Sequence, residues 1–374
     1  MTLHLCALPH TQITDEYLTC AYTQKIAKFC RMFPDDVVLY APEGSEAPCK
    51  EHVVTMTRDE QLGWFGKWDA TQSPNVDWDS TKPWWTQANV TSILGIQRRH
   101  EDGDLVLITA GLSQKPIVDA LPGVLPVEWA VGYKGILTSG HRIFESYAWM
   151  HHIYGLNGIE DGAFFDSVVP NFFDPDELPL GDGDGEYAVW LGRWTERKGF
   201  ETAIAICQEA GIELIMAGPG FDGRELPDGV QHIGPVGVTE RAALLGGAQI
   251  GFVPTGYIEP FGGVAVEMML CGTPVISTDW GAFAETVETG VTGHRIRTRG
   301  EGVDAIRRCQ EIPRASVRER ALERYSLDAV KPQFEAVFGR LTELWTDGWY
   351  TKKPLHETRL VDVAPVSSDA RATT

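Results

Sequence analysis

No apolar run in this 374-residue chain approaches the ~20 residues that a membrane span requires. The first residues, Met1-Thr2-Leu3-His4-Leu5-Cys6, lack both a basic region and a long apolar core, so no export signal is expected. Cysteine is scarce and irregular: the seven at 6, 20, 30, 49, 207, 271 and 309 form no Cys-x-x-Cys pair and no even framework. That pattern argues against a disulfide scaffold or structural zinc and points to a reducing cytoplasm. The sequon Asn89-Val90-Thr91 then carries no glycan. Cations are short too, 32 Lys and Arg against 52 Asp and Glu, which leaves a net charge of −20. Such a surface repels nucleic acid and anionic headgroups at long range, although a local basic groove would override the average. No Gly-x-Gly-x-x-Gly follows the first apolar run, which weighs against a nicotinamide dehydrogenase. No internal repeat or low-complexity segment is present.

What is there fits two α/β domains of about 150–200 residues each. In the second half, Tyr187–Leu191, Glu213–Ala217, Ile250–Pro254 and Thr273–Ser277 are predicted strands. Helices are predicted between them, over Gly199–Ala210 and Val264–Cys271. Strands alternating with helices imply a parallel, doubly wound sheet, with ligands at the carboxyl ends of its strands. The first half reads less clearly: strands at Leu3–Ala7, Val37–Tyr40 and Leu105–Ile108, helices at Asp15–Met32 and Val90–Arg98. The two halves meet near Pro170-Asn171, followed by a Gly/Asp linker at Gly181–Gly185 and a late amphipathic helix at Val330–Trp345.

The segment with the clearest chemistry is Glu259-Pro-Phe-Gly-Gly-Val-Ala-Val-Glu267. Gly262 and Gly263 open a predicted helix, whose free N–H groups and dipole favour an anion. Carboxylates beside an anion are unfavourable unless they accept hydrogen bonds from hydroxyls. A sugar on one side of a diphosphate and a ribose on the other meet that condition. Taken alone, the two glutamates equally fit a helix capped by Glu259 with Glu267 facing solvent.

This segment resembles the E-x7-E signature of retaining GT-B glycosyltransferases of the family-4 and glycogen-synthase-like group. The resemblance continues through Cys271–Asp279, Gly281, Glu285 and Gly290–Gly293. Upstream it takes in Leu191-Gly-Arg-Trp-Thr-Glu-Arg-Lys-Gly199, Ala217-Gly-Pro-Gly220 and Val168-Val-Pro-Asn171, in the family's order over residues 165–300. It implies two Rossmann-like, doubly wound domains facing a central cleft. Residues 1–172 are then the acceptor domain and 173–330 the donor domain; 331–350 is a helix returning to the first domain, and 351–374 a poorly ordered tail.

By the same resemblance, the donor is a UDP- or GDP-sugar. Arg193 and Lys198 bind the diphosphate and stabilise the leaving group, Glu259 holds the transferred sugar, and Glu267 takes the ribose hydroxyls. Gly192, Val264 and the backbone of Phe261, Gly262 and Gly263 complete the donor site, with Gly234 and Val236 near the base. Glu285 reads equally as a helix cap. The acceptor enters on the face the nucleotide leaves, with no protein nucleophile implied. The class works without metal or cofactor, and Asp182-Gly-Asp184, in a Gly-rich run before a strand, reads as linker.

Departures gather in the first half. Pro9–Thr14 replaces the Gly-Gly loop that often follows the first strand. Glu128, at a strand end, is a candidate acceptor contact or general base, and a structural carboxylate pair is as good a reading. His10, Ser146 and Tyr147 are further candidates. Five of the twelve tryptophans, Trp64, Trp68, Trp78, Trp84 and Trp85, fall within residues 62–85. Indoles stack on sugars and on bases alike, and the acids Asp69, Asp77 and Asp79 favour the sugar. Trp84 and Trp85 therefore stand as acceptor candidates in a loop, beside the reading of an aromatic cluster that pins it. The acceptor is expected to be a glycan or other soluble hydroxyl compound. Rival readings are a viral-type transferase acting on modified DNA, an epimerase or phosphorylase of the same fold, and a catalytically silent nucleotide-sugar-binding protein.

Overall fold

The computed structural model describes residues 1–346 except 15, 16, 18, 19, 69–75, 138 and 139. The expected tail at 351–374 lies outside the described residues, as does Asp69.

In chain order the first half comprises β1 (Leu3–Cys6), α1 (Ala21–Met32), β2 (Val37–Ala41), β3 (Glu51–Val54), α2 (Arg58–Phe65) and α3 (Pro83–Gln97). β4 (Leu105–Ile108), α4 (Lys115–Ala120), β5 (Leu125–Val131), β6 (His141–Phe144), α5 (Tyr147–Leu156) and β7 (Asp166–Val168) follow. The second half comprises β8 (Tyr187–Leu191), α6 (Phe200–Ala210), β9 (Glu213–Ala217), β10 (Val230–His232), α7 (Val238–Gly247) and β11 (Ile250–Val253). It continues with α8 (Gly263–Leu270), β12 (Val275–Thr278), α9 (Phe283–Thr286), β13 (Gly293–Ile296), α10 (Arg299–Gln310), α11 (Arg314–Tyr325) and α12 (Leu327–Thr346).

Two sheets result, ordered β3-β2-β1-β4-β5-β6-β7 and β10-β9-β8-β11-β12-β13. Every pairing in both is parallel. Each order reverses direction once, between β1 and β4 and between β8 and β11, and such a switch opens a crevice at the strands' carboxyl ends. The central strands are buried along their whole length, so they read as largely apolar runs, with His4 the polar exception in β1.

Some boundaries differ from the sequence reading. α1 begins at Ala21, and Asp15, where its start is expected from the sequence, lies outside the described residues. α3 begins at Pro83, not Val90, because proline at the first helical position is preorganised for a helix start. Trp84 and Trp85 therefore lie in the first turn of a helix, not in a loop. In β5 the register to β6 shifts between Glu128 and Val131, and Ala130 takes a left-handed φ of 52°. This bulge, strained for an alanine, redirects the chain into the 132–137 loop at the cleft.

The chain crosses between the halves at two places that pair with each other. Phe173 N donates to Tyr325 O at 2.8 Å and Leu327 N to Phe173 O at 3.1 Å. Beyond that crossing, Val330, Phe334, Phe338 and Leu341 of α12 join the first half's core with Phe29, Trp129 and Phe172. The last helix thus completes the domain that the chain left at residue 170.

Candidate active site

The switch point of the second sheet brings together loops from β8 and β11. Lys198 ends a short 3-10 turn after β8, closed by Gly199 in the left-handed conformation at φ 72°. A Cβ at Gly199 would collide with the Pro254 carbonyl, so glycine is required there. This packing sets Lys198 Nζ 2.9 and 3.1 Å from the two carboxylate oxygens of Glu259, from the loop after β11. Glu259 is buried, and its charge acts on the neighbouring Tyr257 hydroxyl. Burial and then Glu259 push the Tyr257 hydroxyl well above its ordinary pKa. The Lys198 and Arg197 cations lie 5.2 and 4.4 Å from the Tyr257 ring. Tyr257 was missed in the sequence because nothing in a lone loop tyrosine distinguishes it. Arg193 is exposed in the same β8 loop.

Immediately after Glu259, Gly262 takes φ 80° and caps α8 without any side-chain hydrogen bond. The amides of an uncapped helix start are suited to an anion. A side chain at Gly262 would run into the Phe283 ring. The ring of Phe261 faces the core, 6.3 Å from Phe173 and 5.6 Å from Tyr325, so only its backbone is available to a ligand. Val264 is half-buried in the first turn. One turn on, Glu267 is buried, with Oε1 3.4 Å from Arg241 and Oε2 left without a partner. A solvent-facing Glu267 is thereby ruled out. An unsatisfied buried carboxylate oxygen is costly, and a hydroxyl donor would relieve it.

Gly192 and Gly218 pack backbone to backbone at the ends of β8 and β9, and Gly234 accepts from the Gly218 amide at 2.9 Å. Val236 is half-buried in the same loop after β10. The donor-side candidates therefore line one edge of one sheet. Asp182 and Asp184 lie in the linker, where Gly183 packs on Arg314. Among the described residues no cluster of His, Cys, Asp and Glu has the form of a metal site.

The opposing edge belongs to the first sheet. Ser146 Oγ donates to Pro260 O at 2.7 Å while accepting from Trp149 N at 3.0 Å, so it caps α5 and touches the donor loop at once. Glu285 accepts from the amides of Tyr147 and Ala148 at 3.0 and 2.7 Å. It is a cap, but on α5 across the cleft and not on its own helix. Tyr147 itself is exposed. Behind these lies the buried ion pair Lys25–Glu145. Lys28, one turn along α1, is buried 3.8 Å from Glu177. Burial lowers its pKa, opposed by Glu267 and Glu177, so a first-domain cation reaches the field of the Glu267 carboxylate.

Two acceptor candidates, Glu128 and Trp85, need correction. Glu128 is only 2% exposed, and both its oxygens are engaged, by Tyr133 Oη at 2.8 Å and Leu137 N at 3.0 Å. It holds the 132–137 loop and presents nothing to an acceptor; burial pushes its carboxyl up to about 7. Trp85 is fully buried and offers no face. His10 is 5% exposed, and burial lowers its imidazole to about 4. It sits in an aromatic wall with Trp84, which is half-buried.

Residues 185–311 match the family described as glycosyl transferases group 1. Among characterised relatives, D-inositol 3-phosphate glycosyltransferases of Mycobacterium bovis and Mycobacterium tuberculosis are 30% identical over 163 residues. That alignment covers 38% of this chain and 34% of theirs, so the chain matches about a third of the length of those relatives. Likeness in three dimensions extends much further. Sucrose-phosphate synthase of Thermosynechococcus elongatus superposes with a TM-score of 0.67 at 17% identity, covering 91% of this chain and 99% of that one. HepE of Anabaena, solved with UDP and glucose, gives 0.64 at 14% identity over 91% and 99%. This is the GT-B fold. In GT-B terms, the β8–β11 switch point with its Lys198–Glu259 pair lies in the domain that carries the family match. No helix among the described residues is long and apolar enough to cross a membrane.

Proposed function

We propose that the chain is a retaining glycosyltransferase that moves a sugar from a UDP- or GDP-sugar to a hydroxyl of a glycan or other soluble acceptor, without metal. The observation that carries this is the pairing of Lys198 with Glu259 beside the uncapped start of α8, with the unpartnered Glu267 oxygen one turn further on. A cation and free amides receive the diphosphate, and the two carboxylates receive hydroxyls from the sugar and the ribose. Residues 173–330 then act as the donor domain and 1–172, completed by the last helix, as the acceptor domain. The base lies over Gly234 and Val236.

As the C1–O bond to the β-phosphate breaks, negative charge grows on the phosphate and positive charge on the ring. Arg193, Lys198 and the α8 amides stabilise the departing diphosphate, which is the largest catalytic contribution a site of this kind supplies. The acceptor oxygen attacks C1 from the face the phosphate leaves and gives its proton to a phosphate oxygen. Lys198 moves from Glu259 toward the phosphate when donor binds, freeing Glu259 for sugar hydroxyls.

HepE, solved with UDP and glucose, makes UDP-glucose the first donor to try, and the Mycobacterium relatives are named for a phosphorylated inositol. The test is a thermal-shift screen against UDP-, GDP- and ADP-sugars, followed by nucleotide release. One donor should raise Tm by mass action and be consumed. Tight binding without release would mark a silent binding protein instead. Lys198→Ala or Arg193→Ala should lower kcat on the order of 10²-fold, by analogy with a lost oxyanion donor. Near wild-type turnover in both variants would sink the assignment. Turnover should also persist in EDTA, and its loss with recovery on Mg²⁺ would refute metal independence.

A further inference from the structure

The first sheet has its own switch point, between β1 and β4, and the loops that follow those two strands meet an aromatic wall. His10, in the loop after β1, stands edge-on to Trp78 at 5.4 Å and to Phe65 at 5.9 Å. Phe65 in turn lies 5.4 Å from Trp84. From the loop after β4, Ser113 Oγ holds the Trp78 carbonyl at 2.5 Å. Trp84 and Trp85 both donate their indole N–H to the Asp77 carbonyl, at 3.3 and 3.1 Å. The backbone around Trp78 is therefore fixed from both sides, yet the residue remains 48% exposed. A rigid indole kept against water at a crevice mouth is a preorganised stacking surface.

One polar group of the wall is unsatisfied as well: His10 Nδ1 is buried without a partner among the described residues. With its imidazole lowered to about 4, His10 is neutral near pH 7 and offers a hydrogen bond, not a charge. Of the nearby cations, Arg58 is engaged by Tyr17 and Gln61, and Lys82 by Asp77. Glu60, Asp77 and Asp79 are exposed beside the wall. Lys67 is exposed in the same segment, so among the described residues a phosphorylated ligand would meet three acids and a single free cation here.

We propose that the wall of His10, Phe65, Trp78 and Trp84 is a subsite for an uncharged saccharide, whose sugar face stacks on Trp78. This rests on the transferase reading above and narrows its acceptor to a neutral glycan in place of a sugar phosphate.

The test uses the full chain, with intrinsic tryptophan fluorescence and UDP-glucose turnover. Its probes are maltotriose, cellotriose and chitotriose, set against glucose 6-phosphate and fructose 6-phosphate. A neutral saccharide should change the fluorescence saturably and serve as acceptor. Its KM should rise on the order of 10-fold in Trp78→Ala and return toward wild type in Trp78→Tyr. The UDP-induced Tm shift should persist in Trp78→Ala, which shows that the variant is folded. A response to sugar phosphates alone, an unchanged KM in Trp78→Ala, or no saccharide response while UDP still binds would overturn the proposal. So would a dimer that Trp78→Ala dissociates without any saccharide response. If saccharides bind through Trp78 but no donor is bound or consumed, the transferase reading fails and the saccharide site stands.

Discussion

Glu128 shows how far a single residue type can mislead. At a strand end in the sequence it looks available for catalysis; in the structure Tyr133 and the Leu137 amide cover it. Its carboxyl, at about 7 against an ordinary 4.5, binds its proton more tightly in the folded chain than in the unfolded one. Folding stability attributable to this group therefore falls as pH rises from about 4.5 to about 7, and the cost is complete above that window. Glu128→Gln removes the charge. Its stability relative to wild type should increase by on the order of 3 kcal/mol across that window, read by denaturant unfolding at pH 4.5 and 8. A difference that does not change with pH would contradict the buried, raised carboxyl. Glu267 carries the opposite lesson: the sequence left open a solvent-facing glutamate, and burial with one bare oxygen removed that alternative.

At the scale of elements, helix ends carry both fold and function. α2 opens with a Thr57–Glu60 capping box and α10 with Thr298–Glu301, each satisfying its own amides. α8 has no such cap, and α5 adds to its own Ser146 cap the Glu285 carboxylate from the other half. Glu285→Ala should cost about 0.5–2 kcal/mol by leaving the Tyr147 and Ala148 amides unpaired, seen as a lower Tm. No loss of Tm would mean that water replaces the carboxylate fully. The pairing of Glu285 with α5 joins elements 137 residues apart, and local spacing carries no record of it. The late start assigned to α3 had a local cause that was legible: Pro83 marks a first helical turn, and reading it that way would have put Trp84 and Trp85 on the helix.

For the whole molecule, the decisive feature is that the chain leaves the first domain, builds the second, and returns through Phe173 and Ser326 to finish the first with α12. Phe334, 1% exposed, packs 5.4 Å from Phe29 and 5.7 Å from Phe172. Phe334→Ala should therefore destabilise the first domain by about 3–5 kcal/mol, although the residue lies past the end of the second. Chemical denaturation followed at Trp129, which lies 6.3 Å from Phe334, should report it; an unaltered midpoint would show that α12 is not part of that core.

The sequence by itself determined the alternation of buried strands and helices, because a strand covered on both faces must be largely apolar. It also marked the Glu259–Glu267 segment, since a glycine-opened helix start between two spaced glutamates is a local pattern. Tertiary structure alone decided which carboxylates remain open to a ligand. Glu128, Glu145 and Glu285 are spent on Tyr133 and Leu137, on Lys25, and on the α5 amides, whereas one oxygen of Glu267 is left bare. The Lys25–Glu145 pair, 120 positions apart, is set by how the first half packs on itself, and the Glu285–Ala148 contact, 137 apart, by how the two halves face each other; no local pattern encodes either.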